Sequence, residues 1–190
     1  MKTIYVLCLM IAAGAGYVLG AESVLNKNKA LSEEKTMQER EEHRLNYREA
    51  SPAAFNAMLA LSKYATDAGL EPGLVNLVFM RASQINGCAF CLNMHTKDLK
   101  AAGEDTQRLI LLPVWKEAAG VYTERERAAL GWTEAITLIA ETHVPEEVYA
   151  SAKKQFTEKE LTDLTIAIIA INGWNRLNIA FKTPVVCDIQ

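Results

Sequence analysis

The sequence predicts an all-helical fold, and three observations support this. Signals that begin and end helices recur along the chain from about residue 47 onward. No segment alternates convincingly between polar and apolar residues, as a half-buried strand would. The stretch that leads up to Ile171 is nearly all apolar, which is typical of a helix buried in a core.

Prolines and glycines set the first helices. Ser51 is a good N-cap, and Pro52 follows it at the first helical position, where its fixed backbone angle is favourable. Gly69 is expected to end that helix, and Pro72 to begin the next. The predicted helices are 52–68, 72–86 and 88–102, the last ending before Gly103.

Two capping boxes open the later helices. The boxes are the pair Thr123 and Glu126 and the pair Thr157 and Glu160. At this spacing, the side chain of each residue can accept a hydrogen bond from the backbone N–H of the other at the start of a helix. The first box predicts a helix through about residue 142, Pro145 opens another, and the second box begins the apolar helix. These signals predict a compact domain of about six to seven helices over residues 45–184, followed by a tail, 185–190.

Composition fits one ordinary globular domain. Half of the 190 residues are apolar (50%), 23% are charged, and the formal net charge is -3. No run of Lys or Arg stands out, so no nucleic-acid partner is expected.

The N-terminus has the pattern of an export signal. Lys2 is followed by an apolar run from Ile4 to Ala21 with small residues near its end. Residues 1–21 are therefore expected to be a signal peptide cleaved before Ala21, or else a short membrane anchor. Residues 22–44 are highly charged and are expected to form a linker. The predicted location is outside the cytoplasm, in a periplasmic or similar compartment.

The cysteines fall into three groups. Cys8 lies in the leader, Cys187 stands alone near the C-terminus, and Cys88 and Cys91 form a CxxC pair. Closing so small a loop restrains little of the unfolded chain, so a purely structural disulfide is a weak explanation. Redox chemistry or metal binding explains the pair better.

The pair belongs to a larger constellation. His95 follows Cys91 by four residues and Cys88 by seven, so a helix would present all three on one face. At the start of that helix, free backbone N–H groups stabilise a thiolate, and His95 can accept the thiol proton. We therefore expect the pKa of Cys91 to be lowered. A structural zinc would need four ligands and the chain has no second CxxC, so neither a metal nor an organic cofactor is expected.

Several segments together resemble the alkylhydroperoxidase D core of the carboxymuconolactone decarboxylase superfamily. They are residues 47–52, 81–97, 124–130, 132–135 and 171–176. The resemblance implies an all-helical fold, a homotrimer or hexamer, and thiol-dependent reduction of hydroperoxides. It also implies that Cys91 attacks the peroxide, Cys88 resolves the intermediate, and His95 belongs to a proton relay. An external thiol or disulfide reductant protein would reset the site.

The chain departs from this family at one position. A glutamate usually lies twelve residues before the first cysteine, and here Asn76 occupies that place. An amide side chain neither takes up nor releases a proton at neutral pH, so it cannot act as an acid or base in the relay. A slow peroxidase is therefore expected unless Glu134 takes over this role. Two alternatives remain open: a disulfide reductase or exchange protein, and a non-catalytic helical module.

Overall fold

The computed structural model describes residues 24–31 and 43–185. The chain divides into two compact units, 1–43 and 44–190. In the first unit, residues 24–31 form an exposed helix, α1. The predicted leader, Cys8, Cys187 and the residues from 186 onward lie outside the described residues. Within the described ranges, no helix combines the length and apolarity needed to cross a membrane.

The predicted all-helical fold is confirmed. Residues 43–185 contain nine α-helices and a short 3-10 helix, Leu112–Val114, and no strand. The helix count is therefore somewhat higher than predicted. The helices are α2 Tyr47–Ala50, α3 Pro52–Asp67, α4 Pro72–Asn86, α5 Ala89–Ala101, α6 Thr106–Leu111, α7 Glu124–Thr137, α8 Ile139–Thr142, α9 Glu146–Gln155 and α10 Glu158–Ala180.

Both predicted capping boxes form, but the Ser51 side chain makes no capping hydrogen bond, and one helix is shorter than predicted. Prolines begin α3 and α4, and complete capping boxes begin α7 and α10. The helix predicted through residue 142 is interrupted at Leu138, whose backbone leaves helical geometry. The last helix runs to Ala180, and its asparagines at 172, 175 and 178 find buried hydrogen-bond partners within the fold.

The core lies around α4. This helix packs against α5, α7 and α10, and α10 also packs against α3. Leu77, Val78 and Ala82 of α4 are almost completely buried, as are Leu164 and Ile168 of α10. Burial of each such Leu, Val or Ile side chain contributes about 1.5–3 kcal/mol, so these helices form a firm support for the segment between α4 and α5.

A tight turn between α4 and α5 positions the CxxC pair. Gly87 ends α4 in the left-handed conformation with φ +69°, which glycine adopts without strain. The N–H of Cys88 donates to the carbonyl of Ser83 at 3.0 Å, and that of Gly87 to Gln84 at 3.3 Å, which is the Schellman pattern of helix ends. The chain therefore enters α5 immediately, with Cys88 as its N-cap.

Candidate active site

The two motif cysteines lie side by side at the start of α5. Both are fully buried and neither forms a disulfide. Their Sγ atoms are 2.6 Å apart, much closer than in an ordinary hydrogen bond between thiols, so a thiol proton can pass directly from one sulfur to the other. Cys88 also caps the helix, because its sulfur accepts the backbone N–H of Cys91 at 3.4 Å. The pair needs little movement to close a disulfide bond, which is about 2 Å long.

The acidity of the pair is the reverse of the expectation for Cys91. A hydrogen bond from the Cys91 side chain, and others from backbone N–H groups of the first turn, lower the pKa of Cys88 from 9.0 to about 7. The pKa of Cys91 is raised, because its proton is held by Cys88 and because it is buried. The contact between the two sulfurs is the largest cause of both shifts, and the first-turn N–H groups add to it because they point at the N-cap sulfur of Cys88.

An apolar cavity of about 360 Å³ lies against this pair. Cys91 and His95 line it, while Cys88 does not. The rings of Phe79 and Phe90 contribute to its walls. A molecule inside the cavity would therefore meet the sulfur of Cys91 and not that of Cys88.

His95 faces the same cavity and is held neutral. Its side chain is only 5% exposed, and burial lowers its pKa from 6.5 to about 4. Neither ring nitrogen has a hydrogen-bond partner among the described residues. The nearest carboxylate oxygen, on Asp98, is 3.8 Å from Nδ1, and the ring packs at 5.3 Å from that of Phe79. A neutral, unpartnered imidazole beside Cys91 can accept a proton or bind a polar group that enters the cavity.

Asn76 and Glu134 have different surroundings. Asn76 lines the dithiol cavity, so this face of α4 looks toward the pair. Glu134 lines a different cavity, of about 500 Å³. Its carboxylate accepts from Arg81 Nη2 at 2.8 Å and from Trp115 Nε1 at 2.7 Å, and it pairs with Lys116 Nζ at 2.7 Å. These donors lower the pKa of Glu134 against the opposing effect of its burial. That environment favours a permanently charged structural group over the proton relay suggested by the sequence.

Residues of α10 complete the site, and the sequence reasoning missed them. Asn178 Nδ2 donates to Cys91 Sγ at 3.4 Å, and the hydroxyl of Tyr47 donates to Asn178 Oδ1 at 3.0 Å. Asn175 Nδ2 donates to Ser83 Oγ at 3.0 Å, and the Asn175 amide also lowers the pKa of both thiols by hydrogen bonding. One signal could have revealed them: asparagines recur every third residue in an otherwise apolar helix, where polar side chains need partners.

Fold and site together define a helical dithiol protein whose reactive pair lies beside an apolar cavity. Across 24–31 and 43–185, no group of three or more His, Cys, Asp or Glu side chains is placed to hold a metal ion. The chemistry available to this arrangement is that of two thiols and an imidazole.

Comparison with known proteins identifies the family. The model of the carboxymuconolactone decarboxylase family matches residues 52–135. The uncharacterized protein YdfG of Bacillus subtilis is 39% identical over 137 residues, which cover 72% of this chain and 92% of that protein. This chain belongs to the carboxymuconolactone decarboxylase family and is alkylhydroperoxidase D-like.

Solved structures agree with this assignment. A protein of unknown function from Agrobacterium tumefaciens, provisionally named as an AhpD antioxidant defence protein, has 44% identity and a TM-score of 0.74. The matched region covers 77% of this chain and 99% of the Agrobacterium tumefaciens chain. The debrominase Bmp8 has 18% identity and a TM-score of 0.65, covers 73% of both chains, and shares the fold alone.

Proposed function

We propose that this protein is a thiol-dependent peroxidase that reduces organic hydroperoxides through a dithiol–disulfide cycle of Cys88 and Cys91. The observation that carries the proposal is the position of the Cys91 sulfur, which is buried at the wall of an apolar cavity beside a second thiol and a neutral His95. Peroxide reduction needs this set: a sulfur to attack, a second sulfur to resolve, and a group to carry a proton.

The cavity indicates the kind of peroxide. A volume of about 360 Å³ far exceeds that of hydrogen peroxide, and its walls include Phe79, Phe90 and Trp174. Burying each CH₂ group of a substrate contributes about 0.8 kcal/mol, so an alkyl or aryl hydroperoxide gains binding that hydrogen peroxide lacks. The polar end of such a molecule would lie at Cys91 and His95.

The first step is attack on the peroxide. The proton of Cys91 moves across the sulfur–sulfur contact to Cys88, which leaves a thiolate facing the cavity. Cys91 Sγ then bonds to the terminal oxygen of ROOH while the O–O bond breaks. Cys91 becomes a sulfenic acid, and the departing alkoxide takes up the proton that Cys88 holds, directly or through His95, to form the alcohol; Cys88 is then a thiolate again.

The second step closes the disulfide. The sulfur of Cys88, deprotonated because its pKa is near 7, attacks Cys91, so the S–S bond forms as the S–O bond breaks. The hydroxide leaves as water after taking a proton. Overall the pair gives up two electrons and its one proton, a second proton comes from solvent to form the water, and the hydroperoxide becomes an alcohol and water. An external thiol reductant returns the two electrons.

The test is the rate of thiol loss in the reduced protein, followed by stopped flow. The panel contains hydrogen peroxide, tert-butyl hydroperoxide, cumene hydroperoxide and oxidised glutathione. We expect cumene hydroperoxide to react at least about tenfold faster than hydrogen peroxide, since its ring gains burial in the cavity. For the Cys91→Ser variant, none of these compounds should cause thiol loss faster than the non-specific background.

The same panel separates the alternatives. Fast reaction with oxidised glutathione and none with peroxides would identify a disulfide exchange protein. Inertness toward every compound would identify a non-catalytic helical module. Either outcome would refute the peroxidase proposal.

A further inference from the structure

A short chain of hydrogen bonds leads from the edge of the domain to the pocket-facing sulfur. Tyr47, at the start of α2, donates its hydroxyl proton to Asn178 Oδ1, and Asn178 Nδ2 donates to Cys91 Sγ, at 3.0 and 3.4 Å. Tyr47 and Asn178 are almost fully buried, at 8% and 5% exposure. Buried polar groups need partners, and here each is satisfied through the next.

The orientation of the Asn178 amide decides what it does to the sulfur. With its oxygen bonded to the Tyr47 hydroxyl, its NH₂ group points at Cys91. The opposite orientation would place a carbonyl oxygen against the sulfur and would repel a thiolate. The Tyr47 hydroxyl therefore favours the orientation in which the amide can donate to a negative charge.

Tyr47 itself is held firmly in place. The backbone N–H of Arg44 donates to the carbonyl of Phe181 at 3.1 Å, and Arg44 Nη1 donates to that of Ala180 at 3.2 Å. The Tyr47 ring packs at 5.9 Å from Phe181 and 6.4 Å from Trp174. These contacts fix the start of the domain to the end of α10, so the hydroxyl has a defined position.

We propose that Asn178 is a catalytic residue that stabilises the Cys91 thiolate by hydrogen bonding, and that Tyr47 is a positioning residue that orients the Asn178 amide. The inference rests on the proposed function only in that attack by Cys91 needs this thiolate. In the resting pair the negative charge lies on Cys88, where first-turn N–H groups stabilise it. When the proton crosses to Cys88, the charge moves to a sulfur for which Asn178 is a ready donor.

The experiment measures the Cys91 thiolate directly, without a peroxide. In a Cys88→Ser background, the rate of Cys91 alkylation by iodoacetamide is followed from pH 6 to 10 by site-resolved mass spectrometry, which separates Cys91 from Cys187. Tyr47→Phe removes only the hydroxyl. Tyr64→Phe is the matched control, since Tyr64 donates its hydroxyl to Asp163 and does not line the cavity.

The groups around the sulfur allow a clean pH profile. Cys88 is replaced in every variant, and His95 stays neutral throughout this range because its pKa is about 4. Arg48 and Asp98, the charged side chains that line the cavity, are common to all variants. A shift between profiles therefore reports the changed hydrogen bond.

We expect Tyr47→Phe to slow alkylation of Cys91 about tenfold near pH 7, which is the effect of losing roughly one hydrogen bond to a charged group. At high pH the alkylation rate of this variant should approach that of the parent. Asn178→Asp should slow it further, because a carboxylate replaces the donor. Tyr64→Phe should remain within about twofold of the parent. A variant whose site had only become less well packed would change the alkylation rate at every pH, and the midpoint of its pH profile would not shift.

The inference is overturned if the Tyr47→Phe profile coincides with that of the parent in a protein that keeps its melting temperature. Tyr47→Phe decides the matter even if Asn178→Asp does not fold. Failure of this inference can be told apart from failure of the proposed function. A shifted profile in a protein that is inert to peroxides supports the inference and refutes the peroxidase, and an unshifted profile in an active peroxidase does the reverse.

Discussion

Burial of His95 should make the folded protein sensitive to acid. The pKa of this imidazole falls from 6.5 to about 4 because the charged form is disfavoured by burial. The unfolded chain therefore takes up a proton as the pH falls through 6.5, while the folded protein does so only near pH 4. Since the unfolded state binds more protons in this window, the free energy of unfolding falls as the pH falls. The loss amounts to about 2.5 kcal/mol between pH 7.5 and 4.5.

Urea denaturation of the reduced protein at pH 7.5 and 4.5 measures this loss. Buried and paired carboxylates also contribute, so the informative quantity is the difference between the parent and His95→Leu. We expect the parent to lose about 2–3 kcal/mol more than His95→Leu over this interval. The control is His143→Asn, in which an exposed imidazole is removed. Equal losses in the parent and His95→Leu would refute the reasoning that His95 is buried as a neutral base.

Four further predictions concern the chemistry, the proton relay, the turn and the assembly. Cys88→Ser should permit one attack on the peroxide and trap a sulfenic acid on Cys91, which dimedone labelling detects. If Cys91→Ser still consumed peroxide, the roles of the two cysteines would be the opposite of those proposed. Asn76→Glu should raise peroxide turnover and shift its pH dependence, whereas Glu134→Gln should keep the pH profile and cost about 1–3 kcal/mol of stability. A large rate loss in Glu134→Gln would instead place that carboxylate in the relay. Gly87→Ala should cost about 1–2 kcal/mol in urea unfolding because its φ is +69°, and an unchanged midpoint would contradict this. Sedimentation at micromolar concentration should show a homotrimer or hexamer, and a monomer would contradict that expectation.

The helical framework could be predicted because its signals are local. A capping box such as that of Thr123 and Glu126 is contained within one turn, and the structure forms it as expected. Prolines at the first helical position act equally locally. The interruption at Leu138 carries no Pro or Gly to mark it. The short helices α2 and α6 have N-cap residues, Asn46 and Asp105, but at four and six residues they are too short to show a helical periodicity. These features therefore did not appear in the prediction.

The site could be predicted only along one helix. The spacing of Cys88, Cys91 and His95 placed them together, but hydrogen bonds between distant segments were beyond reach. Asn178 lies 87 residues from Cys91, and Tyr47 lies 131 residues from Asn178. The pKa of Cys91 was misjudged for a different reason: the spacing showed that the two thiols are neighbours but not that their sulfurs are in direct contact, and this contact together with burial raises the pKa of Cys91.

The two sulfurs differ in ways that suit different tasks. Cys91 lines the cavity but its pKa is raised, and Cys88 has a pKa near 7 but does not line the cavity. A thiolate kept away from the cavity does not react with whatever enters it, so attack has to await movement of one proton across a 2.6 Å contact. In the proposed cycle, Cys88 passes that proton to the departing alkoxide, so it is a thiolate again when the sulfenic acid on Cys91 awaits resolution. Within this proposed cycle, access therefore selects Cys91 for attack, acidity selects Cys88 for resolution, and the proton between them couples the two steps.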